Sequence, residues 1–156
     1  MTVNPKDAKG RRTVRYESYS DMLTDVEQMA VADVSTVGNW SLGQILKHLA
    51  MSVDSSIDGA GFSLPAPVRW VMKLLMKRKF LTKPIPAGFK TTKEFTPDET
   101  SIEEGLALLR TAVDRQGKET KRAPHPGFGK FTAQEWTDFN LRHAELHMSF
   151  VISNEV

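Results

Sequence analysis

Residues 39–58, NWSLGQILKHLAMSVDSSID, decide the fold, because they contain a helix start, an apolar stripe and a helix end. Ser41 and Gln44 have the spacing of a capping box, and Trp40 and Ile45 have that of a hydrophobic staple. After this start, apolar residues recur every three or four positions, and a glycine follows residue 58. The stretch therefore predicts an amphipathic helix.

A second stretch, residues 131–150 (FTAQEWTDFNLRHAELHMSF), repeats this pattern. Thr132 and Glu135 have the spacing of a capping box, and Phe131 and Trp136 that of a staple. Aromatic residues and two histidines then continue along one face as far as residue 150. We predict the last helix here.

Three further segments have helical periodicity. Residues 19–32 carry one apolar stripe, and residues 96–117 carry another behind a start signal at Thr96 to Glu99. A shorter helix follows Pro67 and runs to about Phe80. Strand signals are weak, since no Asn-Gly hairpin occurs. The sequence predicts an all-α fold, a four-helix bundle with an additional short helix.

Length and composition are those of one ordinary globular unit. The chain has 156 residues, of which 40% are hydrophobic and 26% charged, with a net charge of +2 that does not argue for nucleic acid. We predict a flexible N-terminal arm over residues 1–16 and a single helical domain over residues 17–156. The sequence has no run of 18 apolar residues and no apolar signal segment, so we expect a cytoplasmic protein.

The absence of cysteine excludes several chemistries. Thiol nucleophiles, iron–sulfur clusters, cysteine-ligated zinc fingers and CxxC redox motifs all require a cysteine side chain. Any metal ion must therefore be held by histidine, aspartate or glutamate.

The four histidines are the main candidates for metal ligands. His143 and His147 are four residues apart, which places their Cβ atoms about 5–6 Å from each other on one helix face. His48 lies in the middle of another predicted helix, so two facing helices could bring it to the same level. These three residues form a candidate metal site. The alternative is that each is a core histidine bonded to its own carbonyl or carboxylate.

The fourth histidine, His125, lies between Pro124 and Pro126 in a glycine-rich loop before the last helix. It is a candidate catalytic residue, as a general acid or base at the mouth of a pocket. The alternative is a loop residue whose conformation is set by its two prolines.

Other residues near the histidines also have two possible roles. Gln44 is expected to cap its helix first, although it could also support His48. Asp54 and Asp58 could add a carboxylate ligand, but we expect them on a solvated helix face. We expect Trp40 and Trp136 to pack as staple and core residues.

Three motifs occur in a characteristic order. They are NWSLGQ at residues 39–44 leading to His48, HPGFGK at residues 125–130, and RHAELHMSF at residues 142–150. Over about residues 15–152, the chain resembles the DinB/YfiT-like superfamily. More closely, it resembles a branch in which an HPGFGK-like segment precedes the last helix.

This resemblance implies a four-helix bundle, often a homodimer, with a divalent metal on three histidines. On the matching positions these are His48, His143 and His147. Characterised relatives include transferases and isomerases that use low-molecular-weight thiols such as bacillithiol, mycothiol or glutathione. Zinc or nickel is the metal we expect, and any thiol must be a soluble cofactor because the chain has no cysteine.

The segment APVRWVMKLLMKRKFLTK, residues 66–83, combines apolar residues with six basic and no acidic ones. Such a helix could cap the bundle, join a dimer interface, attract an anionic substrate or lie on an anionic membrane. We expect packing or dimerisation rather than a membrane partner.

Two functional hypotheses follow. In the first, the protein is a metal-dependent enzyme whose three-histidine site activates water or a thiol for hydrolysis or transfer of a group on a small-molecule substrate. In the second, it is a non-catalytic dimeric bundle that acts as an interaction or small-molecule-binding module, with the histidines as core residues.

Overall fold

Six α-helices and two short strands make up the regular structure in a computed structural model, which describes residues 2–155. They are α1 (Tyr19–Val31), β1 (Val34–Thr36), α2 (Leu42–Asp58), α3 (Ala66–Leu75), α4 (Lys77–Thr82), α5 (Ile102–Lys118), α6 (Ala133–Met148) and β2 (Val151–Ser153). The predicted all-α bundle with an additional helix is confirmed.

Both predicted capping boxes are present. The Ser41 hydroxyl accepts a hydrogen bond from the Gln44 backbone N–H, and the Gln44 side chain accepts one from the Ser41 backbone N–H. Thr132 and Glu135 form the same reciprocal pair at the start of α6. Each box satisfies backbone donors that a helix start leaves without partners. The two histidine-bearing helices therefore begin where the sequence predicts.

The main core lies between α1, α2, α5 and α6. α2 and α5 approach closely because Gly43 and Gly105 face each other's helix. A Cβ at Gly105 would lie 2.6 Å from the Gly43 carbonyl oxygen, so a side chain does not fit there without displacement. The fully buried core residues with the largest volumes are Met22, Val26, Leu46, Leu49, Leu109, Met148 and Val151. This contact fixes α2, which carries His48.

A second, smaller core joins α4 to the start of α6. It is rich in aromatic rings, and its buried members are Phe80, Ile85, Phe128, Phe131 and Trp136. The Trp136 indole N–H donates to the Ala123 carbonyl at 2.8 Å. Trp136 is thus a core residue, as predicted.

The two strands are absent from the sequence prediction. β1 and β2 pair antiparallel, with Val34 opposite Ser153 and Thr36 opposite Val151. Strands of three residues are too short to show an alternating pattern. Their pairing also ends α6 at Met148, two residues before the end we predicted at Phe150.

One predicted helix start is wrong, and one predicted helix is divided in two. α5 begins at Ile102 rather than near Thr96, because Ser101 is its N-cap and accepts a hydrogen bond from the Glu104 backbone N–H. The predicted short helix is divided in two at Met76, whose φ of −120° leaves helical geometry. None of the helices described within residues 2–155 is long and apolar enough to cross a membrane.

The segment before α1 lies against the bundle. Arg12 forms a bidentate ion pair with Asp25 at 2.9 Å, and Arg11 donates to the Ser149 hydroxyl. Tyr16 is buried, and its hydroxyl donates to Asp25. These contacts order the end of the segment that we expected to be a flexible arm. The division at residue 16 stays a prediction.

Candidate metal centre

Three histidine side chains converge between α2 and α6. The Nε2 atom of His143 lies 3.1 Å from Nε2 of His48 and 3.1 Å from Nε2 of His147. All three candidate ligand atoms lie within 4.8 Å of one another. The sequence prediction that distant parts of the chain bring these rings together is confirmed.

The orientation of His48 is fixed from its far side. Its Nδ1 lies 2.8 Å from the carbonyl oxygen of Phe95, at the end of a 3₁₀ turn over Lys93–Phe95. A carbonyl only accepts hydrogen bonds, so Nδ1 carries the proton and Nε2 presents a lone pair to the cluster. A backbone carbonyl bonded to the remote ring nitrogen is typical of histidines that bind metal.

The three neutral rings cannot satisfy one another. If Nε2 of His143 carries a proton, it can donate well to only one of its two neighbours. If it does not, its lone pair faces that of His48 at 3.1 Å. Either arrangement leaves at least one unfavourable contact between ring nitrogens that are buried or half-buried. A cation at the centre of the cluster removes this conflict, because each of the three nitrogens can then direct its lone pair at the cation.

The donor set fits a divalent transition metal. Imidazole suits zinc and nickel, and tetrahedral zinc with Zn–N bonds of about 2.0–2.1 Å separates its nitrogen ligands by about 3.3 Å. Two of the three observed separations, each 3.1 Å, are close to that value, and the third is no longer than 4.8 Å. Among the described residues, Nδ1 of His143 is buried without a hydrogen-bond partner, so its orientation depends on packing.

Aromatic side chains hold two of the rings. Trp40 stacks on His147, with ring centroids 5.5 Å apart and planes at 18°. Phe139 stacks on His143 at 5.8 Å and 15°. Trp40 is therefore part of the wall of the histidine cluster, a position that the staple pattern alone does not reveal.

Burial keeps the imidazoles neutral. It is the main cause that lowers the pKa of His143 and His147 well below their ordinary values, and the neighbouring imidazoles contribute. Burial also lowers the pKa of His48, although its bond to the Phe95 carbonyl acts in the opposite direction. Neutral rings are the form that binds metal.

The cluster is not sealed. His48 is buried, whereas His143 and His147 are only partly buried, which gives solvent access to one side. No Asp or Glu within residues 2–155 joins the three-histidine group. A metal held here would therefore keep at least one position for an exogenous ligand, the arrangement typical of catalytic rather than structural sites.

Arg11 is a feature of the site that the sequence analysis missed. Its positive charge acts on His147 and helps to lower the pKa of that ring. Its guanidinium lies 4.3 Å from the centroid of Phe150 and donates to the Ser149 hydroxyl. Because Arg11 lies in the segment predicted to be a flexible arm, no helical pattern identified it as a neighbour of the cluster.

His125 lies outside the cluster, within the aromatic core. Its Nδ1 accepts the backbone N–H groups of Gly127 and Phe128 at 3.0 and 3.2 Å, so the neutral ring carries its proton on Nε2. Burial lowers its pKa to about 3. These contacts give His125 a structural role in the HPGFGK turn. It also lines a cavity of about 400 Å³ together with Phe62 and Arg69, and its predicted catalytic role stays a prediction.

The remaining candidates have structural partners. Asp54 and Asp58 both accept hydrogen bonds from Arg115 and do not join the histidines. The Gln44 side chain completes the capping box and also donates to the Pro97 carbonyl at 3.4 Å. The preference for surface and capping roles at these positions agrees with their contacts.

Comparison with known proteins places the chain in a family. The model of the family described as "Protein of unknown function (DUF1569)" matches residues 8–154, so the chain belongs to this family. No curated protein and no solved structure matches it.

Proposed function

We propose that this member of the DUF1569 family is a metal-dependent enzyme of the DinB-like class, with a divalent ion on His48, His143 and His147. The observation that carries the proposal is the convergence of three Nε2 atoms that cannot satisfy one another without a cation. The DinB-like assignment is supported by the order of the three motifs and by the helical bundle. We propose zinc or nickel as the metal.

The chain's own residues prepare the site for this role. The Phe95 carbonyl holds the His48 tautomer, and stacked aromatic rings restrict the other two imidazoles. Burial keeps all three rings uncharged, so no imidazolium has to lose a proton before a cation binds. A bound metal would supply Lewis acidity that lowers the pKa of a ligand such as water or a thiol.

The proposed substrate is a small molecule, and the proposed reaction is hydrolysis or group transfer. The chain has no cysteine, so a thiol nucleophile must come from a soluble low-molecular-weight cofactor. The positive charge of Arg11, which acts on His147, favours an anionic ligand such as a thiolate at the cluster. A homodimer belongs to the same proposal, since the resemblance implies one.

Metal analysis of the purified protein tests the site. We expect about one equivalent of zinc or nickel after equilibration with each metal and gel filtration. The His143→Ala variant, which lacks the central nitrogen, should retain less than a tenth of that amount. His125→Asn, which removes an imidazole outside the cluster, is the matched control and should retain it. Equal, negligible metal in all three proteins, with helical circular dichroism preserved, contradicts the proposal.

Cobalt substitution tests the thiol. A thiolate that binds cobalt(II) produces a charge-transfer absorption in the near ultraviolet. We expect millimolar glutathione to produce this absorption in the cobalt-loaded wild type and not in cobalt-treated His143→Ala. Cobalt binding with no thiol-dependent absorption, for bacillithiol and mycothiol as well, restricts the proposed function to activation of water.

A further inference from the structure

Helix α3 exposes its apolar side chains to solvent. The exposed fractions are 65% for Trp70, 63% for Leu74 and 72% for Leu75. No residue of α3 is buried. Large apolar side chains on an amphipathic helix of a globular domain are expected to face the core.

In α3, however, the apolar side faces away from the bundle. Its half-buried residues include Arg69 and Met72, which share the side that faces the bundle. Trp70, Val71 and Leu74 lie on the opposite side because of the 3.6-residue period. The bundle therefore does not use the apolar face of α3. Within residues 2–155, that face does not make the packing contacts that we expected for this helix.

The apolar exposure extends beyond α3. Eight of the eleven exposed large apolar side chains that the described residues contain lie between residues 62 and 89. They are Phe62, Leu64, Val68, Trp70, Val71, Leu74, Leu75 and Phe89. We call this region the 62–89 surface. Five of them lie on α3, where the helical period places them side by side, and monomeric soluble proteins rarely expose such a group of apolar side chains unless it binds something.

The same part of the chain is strongly basic. Residues 59–93 contain eight of the 21 lysines and arginines and none of the 19 acidic residues. The rest of the chain therefore has 13 basic and 19 acidic residues, so the small net charge hides a pronounced separation of charge. Lys73, Arg78 and Lys79 are exposed, and no described acidic group forms an ion pair with them.

We infer that the 62–89 surface binds an anionic lipid bilayer. Trp70, Leu74 and Leu75 enter the headgroup region, while Lys73, Arg78 and Lys79 contact lipid phosphates. An apolar helix face flanked by lysine and arginine is the pattern of helices that lie in a membrane interface. A tryptophan at headgroup depth fits this position because its ring is both apolar and polar.

Charge argues against a second copy of this chain on the same surface. A two-fold axis through the patch would bring the basic residues of both copies together, because a two-fold interface uses the same patch twice. No acidic residue lies between residues 59 and 93, so this part of the chain has no negative charge to offset the repulsion between the two copies. An anionic bilayer supplies the opposite charge over the whole patch.

Sedimentation with lipid vesicles tests the inference. We expect the full-length protein to bind phosphatidylglycerol vesicles at low salt and not phosphatidylcholine vesicles. Binding should weaken in 0.5 M salt, because the electrostatic screening length falls to several ångströms at about this concentration. The Leu74→Ser/Leu75→Ser variant should lose at least tenfold in partition coefficient. Lys73→Gln/Arg78→Gln/Lys79→Gln should lose about 100-fold, since each basic residue near an anionic surface contributes about fivefold.

Matched variants outside the surface provide the controls. Lys9→Gln/Lys118→Gln/Lys121→Gln removes the same charge and should change binding by much less. Binding that is absent from anionic vesicles, equal on both lipids, or lost equally in both charge variants overturns the inference. It is also overturned if the wild type is a dimer without vesicle binding and Leu74→Ser/Leu75→Ser is a monomer, because the surface then joins two copies. Circular dichroism of each variant verifies that it is folded.

Discussion

The histidine cluster and the 62–89 surface break the usual distribution of side chains in opposite directions. In the cluster, three polar rings, one buried and two half-buried, make contacts that neutral imidazoles cannot all satisfy. On the 62–89 surface, large apolar side chains remain in water, although the chain forms a core that buries other apolar side chains. The first region has ring nitrogens without suitable partners, and the second has apolar side chains that the chain leaves uncovered.

This contrast separates residues that fold the protein from residues kept for a ligand. A folded chain tolerates unsatisfied buried polar groups or exposed apolar patches only at some cost in stability or solubility. Both regions should therefore contribute little to folding by themselves and should gain free energy when the right ligand binds. Substitutions in the two regions and in the ordinary core should therefore differ in their effects on stability.

The largest effect should follow removal of metal from the histidine cluster. A ligand bound only by the folded state at 1,000 times its Kd stabilises that state by about 4 kcal/mol. For a chain of this size, that corresponds to about 8–16 °C in Tm. We expect a chelator to lower the Tm of zinc-loaded protein by this amount in a calorimetric scan. The His143→Ala variant should show no chelator-dependent shift, and an equal shift in both proteins would refute the role of the cluster.

A buried ion pair on another face of α6 should behave differently. Glu145 accepts hydrogen bonds from Arg142 and from the Tyr16 backbone N–H, at 2.9 and 2.8 Å, so its charge is satisfied within the chain. Removal of one partner of a buried pair leaves the other uncompensated and costs about 3 kcal/mol. We predict that Glu145→Ala loses this amount in urea denaturation, equally with metal and with chelator. A loss seen only in the presence of metal would link this pair to the cluster.

A smaller effect is expected where α2 meets α5. A Cβ at Gly105 would lie 2.6 Å from the Gly43 carbonyl and 2.9 Å from the Leu46 Cβ, so Gly105→Ala must displace α2. Overpacking of this kind costs about 2 kcal/mol. Because α2 carries His48, we also predict weaker zinc binding by isothermal titration. Gly117→Ala, on the same helix with open space around its added Cβ, is the control: it should lose no stability, with up to about 1 kcal/mol gained from helix propensity, and should not change zinc binding.

Much of the histidine cluster was predictable from the sequence. The two capping boxes fixed where α2 and α6 begin, and the i,i+4 spacing placed His143 and His147 on one face. The bundle then brought His48 to the same level. These signals are local patterns that follow directly from helix geometry, and this is why they could be recognised without coordinates.

Other features depend on contacts between distant parts of the chain. The Phe95 carbonyl that orients His48 belongs to a loop with no motif, and Arg11 reaches the cluster from outside the helices. The 62–89 surface illustrates the same limit. Its periodicity predicts an amphipathic helix, but periodicity cannot say whether the apolar face of α3 turns inward or outward. The pattern of Trp70 and Leu74 alone would be the same in both cases.

The smallest effect should come from the 62–89 surface in the absence of lipid. Leu74 and Leu75 are more than half exposed, so folding removes little of their apolar area from water. We predict that Leu74→Ser/Leu75→Ser changes the free energy of unfolding in urea by less than about 0.5 kcal/mol, as is usual for surface substitutions. Leu49→Ala, in the main core and 2% exposed, should lose about 2–5 kcal/mol in the same measurement.

The comparison of these two variants decides whether α3 belongs to the folding core. Transfer free energy depends on the apolar area that folding buries, so removal of exposed leucine side chains must cost less than removal of a buried one. A loss near that of Leu49→Ala would show that Leu74 and Leu75 are covered in solution by another part of the chain or by a second copy. Addition of anionic vesicles should then leave the stability of the wild type unchanged. If the surface binds lipid instead, the same vesicles should stabilise the wild type and not the serine variant, because only the folded wild type presents the complete apolar face.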